Sequence, residues 1–198
     1  MKMEKNKLVI GISGTIASGK DLVAELFKSK GMQLVALSGM VRDELQKNNI
    51  NIDRNSLQDM GNKLREQFGG QVLAERALAK YRSYDAPLII KSIKNLDEIN
   101  FLKENSEFYL IGVDAPFEKR WERIRARNKD VDLLNHDKFV IEDARDRGFN
   151  EPLNGQQVAM CLVHADFLIN NDEDFTGPID NTRLNKQVNE IYRKIMKK

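Results

Sequence analysis

The stretch LVIGISGTIASGKDLVAELF, from Leu8 to Phe27, decides how the rest of the chain is read. It opens on a short apolar run, Leu8 to Ile12, that one glycine interrupts. It closes on Leu22, Val23, Leu26 and Phe27, an apolar stripe at helical spacing that Gly31 ends. Between the two stand Gly14, four residues, Gly19 and Lys20, the spacing G-x-x-x-x-G-K. A buried strand that runs through this spacing into an amphipathic helix is the setting the motif needs. Its glycines let backbone amides turn toward phosphates, the helix N-terminus adds positive potential, and the lysine reaches the β and γ phosphates. Gly14, Thr15, Ile16, Ala17, Ser18, Gly19 and Lys20 are therefore the candidate phosphate cradle, with Lys20 the catalytic cation. The next residue, Asp21, stands where a hydroxyl that holds magnesium is expected. Two readings stand side by side: a hard oxygen ligand for Mg2+, or an acidic residue that complements the helix dipole by about 0.3–1 kcal/mol.

Working outward, four more apolar runs lack the alternation of a half-exposed strand: MQLVALS (Met32–Ser38), PLIIKS (Pro87–Ser92), FYLIGVD (Phe108–Asp114) and ADFLIN (Ala165–Asn170). Such runs suit strands buried on both faces of a parallel sheet. Helical stretches separate them, among them the Phe117, Trp121 and Ile124 stripe that begins just after Pro116. The alternation predicts an α/β, three-layer fold with a parallel five-stranded sheet and right-handed crossovers. Two regions break the rhythm. Residues 39–84 contain helical patterns only, which predicts a helical insertion, and the polar stretch from Arg127 to Phe139 opens a candidate lid over about 127–147.

At 198 residues, 41% hydrophobic, the chain is one globular domain with enough apolar surface for a sizeable core. Lysine and arginine number 32 against 30 acidic residues, so nothing signals a nucleic-acid partner. No apolar run is long enough for a membrane span or a signal segment. Cys161 is the only cysteine, which excludes an internal disulfide and a thiolate zinc cage and agrees with a cytoplasmic setting. His136 and His164 are isolated from any metal-ligand spacing and read as structural.

On the loop, the alternation and the insertion, the chain resembles the nucleoside monophosphate kinase group of P-loop NTPases over nearly its whole length. The loop ending GKD looks like that of phage deoxynucleoside monophosphate kinases and animal-type phosphomevalonate kinase, which implies that Asp21 is compatible with phosphoryl transfer. The segments FYLIGVDAPFEKRWERIRARNK, DARDRG, NGQQV and ADFLINND are similar to the P-loop domain that precedes a cytidylate-deaminase domain in some proteins. The deaminase's own H-x-E and C-x-x-C zinc residues are missing here.

The resemblance implies roles for individual residues. LSGMVRDEL suggests Arg42, with Ser38 nearby, as the holder of the acceptor phosphate. WERIRARNK puts Arg123 and Arg127 one helical turn apart, the first against adenine and the second on phosphate, with Arg120 near the same basic face as a reinforcement of it. DARDRG supplies Arg145 and Arg147 as lid arginines that close over the transferred group. Asn170 and Asn171 follow the last strand, where such folds meet adenine. At the end of the third strand the family commonly has an aspartate that helps to position magnesium, followed by an arginine; here KSIKN has Lys91 and Lys94 at those positions. Lys94 still meets a phosphate as a point charge, whereas Lys91 repels a divalent cation and is free to pair with Asp21 or a phosphate. Asp114, just before APFE, reads either as a carboxylate near a metal or, preferably, as the cap of the next helix.

Taken together, the resemblance implies an ATP- and Mg2+-dependent kinase acting on a small nucleotide, a nucleoside or deoxynucleoside monophosphate, as a monomer or homodimer. A regulatory nucleotide-binding protein, favoured by Lys91, and a small-molecule kinase such as a dephospho-coenzyme A kinase are the alternatives.

Overall fold

Five short strands lie in one parallel sheet: β1 (Leu8–Gly14), β2 (Gln33–Ala36), β3 (Leu88–Lys91), β4 (Glu107–Asp114) and β5 (Phe167–Asn170). Their order is β2-β3-β1-β4-β5, so β1 is central and the loop that leaves it opens at the carboxyl edge of the sheet. The structure, a computed structural model, describes residues 7–81, 85–127, 134–173 and 182–197. All five apolar runs form strands. The second is shorter than the sequence suggests, because Leu37 and Ser38 already belong to a helix.

Alternate β1 residues face opposite layers, as the two-residue period of a strand requires. Ile10 and Ile12 pack with Val23 and Phe27 of α1 (Lys20–Lys28) and with Leu184, Val188 and Ile191 of α9 (Arg183–Met196). Val9 faces the other layer, beside Ile99 and Leu102 of α5 (Leu96–Asn105) and Cys161 of α8 (Val158–Val163). Helices therefore cover both faces, the three-layer α/β arrangement that the buried runs predict.

The insertion between β2 and β3 consists of α2 (Leu37–Lys47), α3 (Arg54–Phe68) and α4 (Val72–Lys80). It begins two residues before the predicted start; its predicted end, 82–84, lies outside the described residues. Val41, Leu45, Met60 and Leu64 extend the α5 side of the core into it. Asp53 caps α3 by accepting from Ser56 N at 2.8 Å.

A third, smaller core lies under the phosphate loop, where Ile16 and Ala17 meet Ile124 of α6 (Phe117–Arg127) and Phe139 of α7 (His136–Arg147). The lid region is thereby half anchored. Its helix α7 packs on the loop, whereas residues 128–133 lie outside the described residues. His136 lies edge-on to the Phe117 and Trp121 rings and His164 is exposed, neither within a metal-ligating group.

Candidate functional site

The loop from Gly14 to Lys20 is gripped from its outer side. Arg120 Nη1 donates to the carbonyl of Ile16 at 3.3 Å, Arg123 Nη1 lies 3.4 Å from that of Ala17, and Asn171 Nδ2 donates to that of Ser18 at 2.8 Å. With three successive carbonyls taken, the remaining loop amides are what an anion meets. Ala17 has φ 60° and Gly19 φ 95°. A Cβ at Gly19 would lie 2.2 Å from Asn171 Nδ2, so both backbone angle and space call for glycine there. Thr15 Oγ1 donates to Asp114 Oδ1 at 2.6 Å and locks the first half of the loop to the end of β4.

Two sequence expectations are corrected here. Arg120 is no reinforcement of an exposed basic face. It is 1% exposed, bonded to Asp143 Oδ2 at 2.8 Å and to the Ala115 carbonyl at 3.0 Å, and it ties α7 to the phosphate loop. A guanidinium taken out of water requires such a set of partners. Asp114 does not cap α6, because the helix starts three residues on and the carboxylate is engaged by Thr15 and by the Ala115 amide.

Lys20 Nζ donates to the Thr15 carbonyl at 3.1 Å. Burial pushes its pKa down to about 8, with Asp146 and Asp21 only partly offsetting that effect. Asp21 is held at 2.7 Å by Lys91 Nζ. Burial by itself would raise the Asp21 pKa. Lys20, the Lys91 hydrogen bond and charge, and Arg127 outweigh it and leave the carboxyl below its usual range. Among the described residues no group of three or more His, Cys, Asp or Glu side chains could hold a metal. The cradle thus fits the phosphates of a nucleotide, but the donor set does not fit a magnesium held by the protein: Asp21 is a lone carboxylate already facing an ammonium.

On the other side of Lys20 opens a cavity of about 220 Å³ between α2, α3 and the end of β3. Lys20, Arg42, Arg54, Arg65 and Lys94 contribute five cationic side chains to its lining, and Asp21 the one carboxylate. Ser38 lines it as well, its Oγ 3.4 Å from that of Ser92. Ser92 itself has φ 67°, a left-handed conformation unusual for a side chain other than glycine and of the kind that gathers at binding sites. Arg42 is exposed and makes no hydrogen bond or ion pair among the described residues. Lys94 is held at 2.7 Å by Asp146, which also lies 3.6 Å from Arg54. Burial would raise the Asp146 pKa, but Lys94, Arg54 and Lys20 together keep it below the usual range.

The lid arginines divide. Arg147 turns toward the phosphate loop, 3.2 Å from Asp143 and 3.5 Å from Asp114. Arg145 turns toward the insertion, where it pairs with Asp59 of α3 and with Glu151. Arg123 Nη2 donates to the carbonyls of Asn171 at 2.8 Å and Glu173 at 3.0 Å. Its guanidinium therefore braces the loop after β5 against the cradle. Asn171 is buried against the cradle, whereas Asn170 is exposed. Arg127 is exposed at the end of α6.

Sequence reasoning missed Arg54, Gln58, Arg65 and Gln156 in the cavity wall, and Asp146 behind it. A signal existed for part of this. Arg54, Gln58, Gly61 and Arg65 recur at helical spacing along one face of α3. Glu98, the residue that fixes Arg65 at 2.9 Å, closes the capping box of Asn95 on α5.

A phosphate cradle after the central strand of a parallel sheet, with a cation-lined cavity beside its lysine, is the arrangement of a P-loop, kinase-like fold. The chain belongs to the AAA domain family, whose pattern residues 10–147 match. Its relatives include UPF0200 proteins of Methanocaldococcus jannaschii and Methanothermobacter thermautotrophicus. The first is 28% identical over 194 residues, 96% of this chain and 93% of the relative. The second is 27% identical over 195 residues, 98% and 93% of the two chains. Among solved structures, the fold is similar to a Thermus thermophilus protein, with TM-score 0.61 and 19% identity over 98% of each chain. It is also similar to a shikimate kinase of Bacteroides thetaiotaomicron, with TM-score 0.56 and 13% identity over 96% of this chain and 98% of that one. At these identities the two structures share the fold alone. Among the described residues no helix is long and apolar enough to cross a membrane.

Proposed function

We propose that this protein is an ATP-dependent phosphotransferase that moves the γ-phosphoryl group to the phosphate of a nucleoside or deoxynucleoside monophosphate. The observation that carries the reading is the position of Lys20, which belongs to the phosphate loop and at the same time lines the cation-rich cavity. A donor in the cradle and an acceptor in the cavity would meet at that lysine. An oxygen of the acceptor phosphate attacks the γ phosphorus, the bond from that phosphorus to the β–γ bridging oxygen breaks, and ADP leaves with the bonding electrons. The attacking oxygen is already anionic, so no general base is required.

The chain's contribution is positioning and charge neutralisation. Lys20 serves the donor, Arg42, Arg54 and Lys94 serve the acceptor, and Arg147 approaches from the lid side. In this reading Arg127, exposed at the end of α6, joins them on the transferring group. ATP is the donor in this reading, and its magnesium would come as the nucleotide's own counterion.

The Lys91–Asp21 pair at 2.7 Å favours a second reading, a regulatory protein that binds nucleotide and transfers little. Radiolabelled ATP with a panel of ribo- and deoxyribonucleoside monophosphates and dephospho-coenzyme A separates the readings. Label should pass to at least one monophosphate, and Lys20→Met should lower the rate by on the order of 100-fold or more, the scale of losing a charged transition-state contact. Tight ATP binding without transfer to any acceptor would refute the phosphotransferase reading and leave the regulatory one.

A further inference from the structure

Gln58 stands one turn beyond Arg54 on α3, is 3% exposed and lines the acceptor cavity. Neither end of its carboxamide has a hydrogen-bond partner among the described residues. The same is true of Arg54 Nε and of Gln156 Nε2, both from residues in the same wall. Among the described residues, four of the eight buried side-chain atoms without a partner thus come from residues that line this one cavity. Each such atom destabilises the empty fold, because folding strips it of water and returns nothing. Their convergence from two segments distant in sequence marks a wall built for a ligand.

The atoms also say what kind of ligand. Arg54 Nε, Gln156 Nε2 and the amide end of Gln58 donate, whereas the other end of Gln58 accepts. A phosphate or carboxylate would satisfy the donors and leave the Gln58 oxygen orphaned. What satisfies both ends of a carboxamide is a planar edge with a donor beside an acceptor, the edge that every nucleobase carries. Leu37, Val41, Leu57 and Leu73 supply apolar wall for such a ring, and the described lining contains no aromatic side chain to stack on it. Recognition by edge hydrogen bonds is then what distinguishes one occupant from another.

We propose that Gln58 is the specificity-determining residue of the acceptor site and reads the hydrogen-bonding edge of the acceptor's heterocycle, with Arg54 and Gln156 completing the contact. The idea rests on the acceptor cavity of the proposed phosphotransferase, but binding alone tests it. The probes are AMP, CMP, GMP, UMP and dTMP, with ribose 5-phosphate as the base-free control, titrated calorimetrically into the full chain. At least one monophosphate should bind 10-fold or more tighter than ribose 5-phosphate. Gln58→Met should bring that monophosphate down to the ribose 5-phosphate level, leave ribose 5-phosphate itself within about twofold, and melt at or above the wild-type temperature because two orphan atoms are gone.

Gln58→Glu keeps the shape and turns the donor end into a second acceptor, so it should raise GMP, whose edge presents two adjacent donors, the ring N1–H and the 2-amino group, relative to the other four monophosphates. The proposal is overturned if Gln58→Met keeps the wild-type preference, if it melts below the wild type, if Gln58→Glu does not raise GMP relative to the other monophosphates, or if the wild type does not distinguish any monophosphate from ribose 5-phosphate. Base-selective binding without phosphoryl transfer would instead sink the phosphotransferase reading and leave Gln58 in its role.

Discussion

Reversing the charge of Lys91 probes the most unusual feature of the phosphate site. In Lys91→Asp a residue of charge +1 becomes −1 beside Asp21, and two carboxylates replace an ion pair. For a divalent cation about 5 Å away in water-like surroundings, a change of two charges amounts to about 3 kcal/mol, or roughly two powers of ten in affinity. The fold should tolerate the change. The Lys91 and Asp21 side chains are 20% and 59% exposed, and a pair this open contributes at most about 1 kcal/mol. Nucleotide titration in magnesium and in excess chelator gives the readout. The wild type should bind ATP with similar affinity in both, within about tenfold, whereas Lys91→Asp should bind it on the order of 100-fold more tightly with magnesium than without. An unchanged ratio in the variant would refute the argument that Lys91 sets the metal dependence of this site.

The titration of Lys20 predicts a pH profile. With its pKa in the free protein at about 8 and raised by a bound polyphosphate, ATP affinity should be flat from pH 7 to 8 and fall by up to about tenfold per unit above it; a flat profile to pH 9.5 would contradict this. The same shift acts on stability: because the folded pKa lies below the usual 10.5, burying the charged lysine destabilises the fold fully below about pH 8, and the penalty fades as pH rises toward 10.5. Arg120→Met leaves the buried Asp143 carboxylate with Arg147 alone, at 3.2 Å, and frees the Ile16 carbonyl, which should cost about 3 kcal/mol, the lower end for breaking a buried pair, on the order of a 10 °C drop in Tm. Adding Asp143→Asn should recover part of it, and a variant that melts within 2 °C of the wild type would show that the buried pair does not hold the loop.

Much of the fold is legible along the chain because its signals are local. Each apolar run between helical stretches is a strand, and β1, β3 and β4 are buried along most of their length as such runs suggest, whereas β2 and β5 lie at the edges of the sheet and are partly exposed. The phosphate loop is equally legible, because glycine positions and the following helix are set within two turns of chain. Leu37 shows where that clarity ends. Its run reads as strand through Ser38, yet the helix begins at Leu37, whose side chain packs into the insertion core. The cavity proposed for the acceptor is half visible in the sequence: Arg42 and Lys94 by position, Arg54, Gln58 and Arg65 only once α3 faces α2.

What the sequence by itself determined is the cradle, its lysine, the order of strands and helices, and the anomaly of Asp21 and Lys91. Tertiary structure alone decided which charges meet. Arg120, Arg123 and Arg127 lie along one short helix, yet one is a buried tie to Asp143, the next braces the loop after β5, and the last is exposed. Arg145 and Arg147 differ as sharply, one facing Asp59 and the other Asp114. Helical period sets the face a residue occupies, but a buried charge must find a counter-charge, and that partner comes from whichever distant segment the packing brings against it. Lys91 and Asp21 stand seventy positions apart, and only the pairing of β3 with β1 sets them at 2.7 Å.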